Sequence, residues 1–101
     1  METYVNLSVI YFEQNRFEEA VDVVREGIEE APEEPELYYR MVVYLVKMGK
    51  YKDAFSYLEN ALTLDFDKHT ILYELMPELK QQKAIYKIIA QYRDDHPSSK
   101  L

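Results

Sequence analysis

The chain repeats one pattern of residue types after 34 positions, and this period constrains the fold more than any other feature. The stretch "NRFEEAV" at 15–21 returns as "GKYKDAF" at 49–55, so Ala20 and Ala54 are 34 residues apart. The register does not slip across the segment, where the matching positions are Tyr4 and Tyr38, Leu7 and Met41, Tyr11 and Leu45, Phe17 and Tyr51, Val24 and Leu58, Gly27 and Ala61, and Ile28 and Leu62. Such a period is typical of helical hairpins that cannot bury their apolar faces alone and therefore stack on their neighbours.

Breakers are rare, and Glu, Leu, Lys and Ala are abundant, which favours helix along the whole chain. Pro35 suits the first turn of a helix, and Gly49 suits the position just after a helix ends. The short connections predict that neighbouring helices pack antiparallel as hairpins. The sequence therefore predicts an all-α fold with about six helices, at 2–14, 17–30, 35–48, 51–64, 69–76 and 83–95.

The last third of the chain keeps the repeat phase for one helix and then loses it. Pro77 falls inside the expected first helix of this segment and should end or kink it. The next helix then starts early, with an apolar stripe formed by Ala84, Ile85, Ile88, Ile89 and Tyr92. Terminal repeats are often atypical because one face must meet water, so we interpret 69–96 as a cap. We expect the tail at 97–101 to be frayed.

The repeated residues resemble the tetratricopeptide (TPR) repeat. The first repeat, about 1–34, supplies Tyr4, Leu7, Ser8, Tyr11, Ala20, Val24, Gly27 and Pro32. The second, about 35–68, supplies Tyr38, Met41, Val42, Leu45, Ala54, Leu58, Ala61 and, in place of proline, Phe66. The resemblance implies a single domain built as a right-handed superhelical stack of antiparallel hairpins, with ligands bound on its concave side by the first helix of each hairpin.

Composition narrows the class of function. The formal net charge is −7 and there is no basic stripe, which argues against binding to nucleic acid or to an anionic membrane surface. No cysteine is present, so thiolate chemistry and disulfides are excluded. The N-terminus lacks the basic start of a signal peptide. We therefore expect a soluble protein, with the cytoplasm favoured as its location.

Few residues could carry chemistry. Asp65, Asp67 and His69 are spaced like the start of a calcium loop, but the glycine and the further ligand of an EF-hand do not follow. Adjacent acids such as Glu18 and Glu19 point in different directions on a helix and fit a solvated face. We expect no enzyme activity, no metal site and no cofactor.

The candidate site is a protein-binding surface. A second apolar stripe runs beside the core stripe of each first helix, and Arg40 and Lys47 could add polar contacts. The predicted groove consists of Val5, Val9, Phe12, Tyr39, Arg40, Val43, Lys47 and Tyr73. We expect a protein or peptide segment as its ligand, although the same residues could instead serve only to pack hairpin on hairpin.

Two further predictions concern the ligand and an alternative function. Chaperone-binding TPR domains hold a carboxylate with basic residues and asparagines, but the corresponding positions here are Val5, Val9, Arg40, Thr70 and Glu74, which disfavours that ligand. The alternative function is a structural assembly segment of a longer array or an oligomer. The apolar residues Val9 and Ile10 near the start indicate a fragment of such an array and predict self-association through the first helix.

Overall fold

The computed structural model describes residues 2–97, which contain six α-helices and no β-strand. The helices are α1 (Glu2–Glu13), α2 (Phe17–Glu30), α3 (Pro35–Lys47), α4 (Tyr51–Leu64), α5 (Thr70–Leu75) and α6 (Lys83–Asp95). Short 3-10 helices at Phe66–His69 and Pro77–Gln81 flank α5. The all-α prediction is confirmed. Of the tail at 97–101 that we expect to be frayed, residues 98–101 lie outside the described residues.

The turns inside the first two hairpins have the same backbone structure, 34 residues apart. Gly49 has φ +77°, and the amide of Lys50 donates a hydrogen bond to the Leu45 carbonyl oxygen at 2.9 Å. In the first hairpin Asn15 has φ 62°, and the amide of Arg16 donates to the Tyr11 carbonyl oxygen at 2.9 Å. This left-handed ending satisfies the last carbonyls of a helix and reverses the chain. Asparagine replaces glycine because it is the side chain that best tolerates this conformation.

Small residues allow the helices to approach closely. Ala20, Ala54 and Ala61 are fully buried. A Cβ atom added to Gly27 would lie 3.1 Å from the Cβ of Tyr4 in α1 and 3.3 Å from Cδ1 of Leu37 in α3. The absence of a side chain at Gly27 is therefore what lets α2 sit between α1 and α3.

The third hairpin differs from the first two. Met76 adopts φ −148° and ψ 83°, because the following Pro77 disfavours the helical conformation at the residue before it. Helix α5 consequently ends at Leu75, and Leu79 reaches the core from a 3-10 helix. Helix α5 also starts one residue later than the helix predicted at 69–76, because His69 belongs to the preceding 3-10 helix. The 3-10 helix at Pro77–Gln81 joins α5 to α6, and α6 packs against α4.

Candidate functional site

Three of the eight predicted groove residues lie in the core. Tyr39 and Val43 are fully buried, and Val5 is nearly so. The hydroxyl of Tyr39 donates a hydrogen bond to the backbone oxygen of Asp65 at 2.7 Å, which ties α3 to the end of α4. Burial raises the pKa of Tyr39 well above its usual range, and the nearby Asp65 raises it further. The expectation that these side chains are open to a ligand is not met. Tyr39 and Val43 are covered because α2, α4 and α5 all pack against α3, and Val5 is buried on the inner side of α1.

The other five predicted residues retain some accessible surface. Val9, Phe12, Arg40 and Tyr73 are partly buried, and Lys47 is exposed. Phe12 stacks on Tyr44 of α3 with ring centroids 4.9 Å apart. The side chain of Arg40 is only 13% exposed, and its Nε donates to Oε2 of Glu36 at 3.1 Å. Arg40 would therefore have to leave an existing partner before it could pair with an acidic ligand.

Tyr73 belongs to an aromatic series that the sequence reasoning did not identify. Ring centroids are 5.9 Å apart between Tyr73 and His69, 4.8 Å between His69 and Phe66, and 5.9 Å between Phe66 and Tyr92. Tyr92 then stacks on His96 at 4.0 Å. The available signal was the spacing of four residues within the pairs His69/Tyr73 and Tyr92/His96, which places both rings of each pair on one helix face. The series joins α6 to the segment before α5.

The histidines thus have structural neighbours. Nδ1 of His69 lies 2.8 Å from the backbone oxygen of Phe66, and Nδ1 of His96 lies 3.0 Å from that of Tyr92. Among residues 2–97, no three His, Cys, Asp or Glu side chains come together in a way that could hold a metal ion. Within the same residues, no helix has the length and apolarity needed to cross a bilayer.

The outward face of α1 carries an apolar surface that we call the α1 edge, formed by Leu7 and Ile10. Leu7 is 39% exposed and Ile10 is 50% exposed. The positions 34 residues later, Met41 and Tyr44, are 0% and 2% exposed. On α3, Tyr44 is covered by Ser8 and Phe12 of α1, and α2 also packs against that helix. The same repeat positions are therefore apolar in both first helices but buried in only one of them.

Buried polar contacts hold the α1 edge in place. The hydroxyl of Ser8 donates to the backbone oxygen of Val5 at 2.8 Å and lies 2.9 Å from the hydroxyl of Tyr44. Ser8 is fully buried, so this contact between α1 and α3 is shielded from water. The stacking of Phe12 on Tyr44 reinforces it. The α1 edge is consequently presented from a helix that is anchored on its inner side.

Comparison with known proteins agrees with this architecture. Residues 2–34 and 35–68 each match the family model described as Tetratricopeptide repeat, which together is more than half of the chain. A curated relative, BBSome complex member BBS4 from Bos taurus, is 30% identical over 63 residues. That alignment covers 62% of this chain but 12% of the relative, so the chain is similar to a small part of that protein. Such repeats indicate a protein–protein interaction module, and the chain belongs to the tetratricopeptide repeat family.

Proposed function

We propose that this chain is a non-catalytic assembly scaffold that receives a helix of another helical hairpin on its α1 edge. The single observation that carries the proposal is the contrast between the two first helices. Leu7 and Ile10 are exposed on α1, whereas the equivalent Met41 and Tyr44 of α3 are buried where the first hairpin packs against that helix. The molecule thus contains its own example of how such a face is covered. The relative named above is described as a member of a complex, which is consistent with an assembly role.

The size of the α1 edge predicts the kind of contact it makes. Fully burying a leucine or isoleucine side chain contributes about 1.5–3 kcal/mol. Since Leu7 and Ile10 still expose 39% and 50% of their surface, covering them would contribute about 1–3 kcal/mol in total. This is too little for tight binding between separate molecules, which must also offset the entropy of association. It is enough for packing within a covalent array or at high local concentration.

A second candidate function is the binding of a peptide on the concave side. Val9, Phe12 and Tyr73 support it because they keep accessible apolar surface, and Lys47 adds an exposed positive charge. In this candidate Val5, Tyr39 and Val43 would support the surface from beneath, and Arg40 would exchange Glu36 for an acid of the ligand. We place it second because its central positions on α3 are already covered.

A tandem chain tests the proposal directly. A copy of residues 35–68 fused immediately before Met1 keeps the 34-residue period and offers a second α4 to the α1 edge. In the original chain Ile10→Lys should change the free energy of unfolding by less than about 0.5 kcal/mol, as expected for a surface substitution. In the tandem chain the same change should cost about 2 kcal/mol or more, because a charge would then be buried at a helix crossing.

The matched control is Tyr51→Lys in the original hairpin of both chains. Tyr51 is an exposed apolar residue on the repeat, away from the α1 edge, so its substitution should have the same small effect in both backgrounds. Equal effects of Ile10→Lys in the single and tandem chains would show that the α1 edge does not receive a hairpin. That result would leave the concave peptide surface as the better candidate.

A further inference from the structure

We propose that the α1 edge of one chain receives α6 of a second copy, giving head-to-tail association. This inference rests on the proposed function and names the partner helix. The exposed surface of α6 contains Tyr86. At 58% exposure, it is the most exposed large hydrophobic residue among residues 2–97. Lys83 and Lys87 lie beside it on exposed positions. An aromatic ring flanked by two cations is the kind of surface that can meet an acidic, apolar helix.

The charges of the two helices are complementary. Residues 2–13, which form α1, include Glu2 and Glu13 and contain no Lys, Arg or His. At the start of α6, Lys83 and Lys87 form no ion pair within the described residues. Opposite charges at the rim of a contact set its orientation and suppress competing arrangements. The basic first half of α6, with its exposed ring, therefore favours the Glu13 end of the acidic α1, whereas the last two residues of α6 are the acids Asp94 and Asp95.

The same reasoning disfavours pairing of α1 with α1 of a second copy. In an antiparallel pair of α1 helices, Glu2 of each chain would lie near Glu13 of the other. No basic side chain on α1 is present to offset that repulsion. Like charges held together across a contact oppose association. In the antiparallel contact with α6, Glu2 lies near Asp94 and Asp95, but Glu13 lies near Lys83. That contact therefore has one attractive end, whereas both ends of the α1 pair are repulsive.

The packing of α2 on α3 supplies a register for the contact. Gly27 near the end of α2 lies beside Leu37 near the start of α3, so these two helices are antiparallel. If α6 receives α1 in the same way, counting from the helix starts places three pairs opposite each other: Leu7 with Ala90, Ile10 with Lys87, and Glu13 with Ala84. The half-buried Ala90 is small enough for close approach. Tyr86 is next to Lys87 and Lys83 is next to Ala84 in the sequence, so the ring falls close to Ile10 and a base falls close to Glu13.

A contact between two different surfaces leaves one free surface at each end of the assembly. Unless the rotation from one copy to the next closes a ring, such a contact therefore generates chains rather than a fixed dimer. Because the α1 edge offers only a small contact, sedimentation velocity of the unmodified protein should show the 12.1 kDa monomer at micromolar concentration and an average mass that rises above it towards millimolar concentration. Ile10→Lys alters the α1 edge and Tyr86→Glu alters the α6 surface, both at exposed positions. Each variant alone should remain monomeric across the range.

Mixing the two variants gives the decisive arm. The Ile10→Lys chain keeps an intact α6 surface, and the Tyr86→Glu chain keeps an intact α1 edge, so an equimolar mixture at millimolar concentration should form one-to-one dimers and nothing larger. Circular dichroism must show that both variants remain helical. Tyr51→Glu, an equivalent change at another exposed tyrosine, should associate like the unmodified protein.

Each other outcome overturns the inference in a distinguishable way. If Ile10→Lys prevents association but Tyr86→Glu does not, the α1 edge is an interface and α6 is not its partner, so the proposed function stands. If neither substitution matters, association uses a different surface and both proposals lose their support. If the unmodified protein stays monomeric at millimolar concentration, the contact between copies does not form, while the tandem chain still tests the α1 edge on its own.

Discussion

Replacing Tyr39 with alanine should strongly destabilise the protein, although the sequence pattern placed this residue in a ligand groove. The ring is fully buried, and truncating a buried aromatic side chain to alanine costs about 3–5 kcal/mol. The hydrogen bond from the Tyr39 hydroxyl to the Asp65 backbone oxygen is lost as well. Tyr39→Phe isolates that hydrogen bond and should cost about 0.5–1.5 kcal/mol. The difference between the two variants measures the packing of the ring.

Urea denaturation followed by circular dichroism measures these free energies. The matched control is Tyr86→Ala, which removes a largely exposed ring from α6 and should change the free energy of unfolding by less than about 0.5 kcal/mol. A domain of this size has a total stability of only about 5–15 kcal/mol, so Tyr39→Ala should be partly unfolded at room temperature if stability lies at the lower end. A loss below about 1 kcal/mol for Tyr39→Ala, well short of the truncation range above, would refute the assignment of Tyr39 to the core.

Three further predictions follow from the packing and the turns. Ala20→Leu and Ala54→Leu should each lower the free energy of unfolding by about 1–3 kcal/mol, because both sites are fully buried, whereas Ser56→Leu at an exposed site of α4 should be nearly neutral in the same urea titration. Gly49→Ala should cost about 1–2 kcal/mol in thermal melts through its φ of +77° alone, since nothing lies within 4 Å of an added Cβ; an unchanged melting temperature would contradict this. Stability should fall as pH rises above about 10, because the unfolded chain then loses a phenolic proton that buried Tyr39 retains, and Tyr39→Phe should flatten that dependence.

Much of the fold could be predicted from the sequence because the 34-residue repeat and the local helix start and stop signals agree. The 34-residue register and the helix boundaries are set by residues whose effects are short-range, such as Pro35, Gly49 and Pro77. The positions of small residues were also predictable, since Gly27 and Ala61 occupy equivalent sites at close crossings. The spacing of the apolar residues identified the apolar face of each helix.

The candidate site could not be predicted in the same way, because exposure depends on which elements cover a helix. Helix α3 is apolar on nearly every side, and its sequence gives no means of deciding whether Tyr39 meets a ligand or the end of α4. Leu7 and Met41 are equivalent in the repeat, yet only Met41 is covered. The aromatic series through Phe66 and Tyr92 joins residues far apart in the chain, so it emerges only from tertiary packing.

The most direct test of the assembly proposal is the solvent accessibility of the Leu7 and Ile10 methyl groups in the single and tandem chains. A soluble paramagnetic agent broadens the NMR signals of exposed methyl groups and leaves those of the buried Leu58 and Leu62 sharp. In the dilute single chain, the Leu7 and Ile10 methyl groups should be broadened strongly. In the tandem chain they should become as protected as Leu58 and Leu62. Equal broadening in both chains would contradict the claim that the α1 edge receives a helical hairpin.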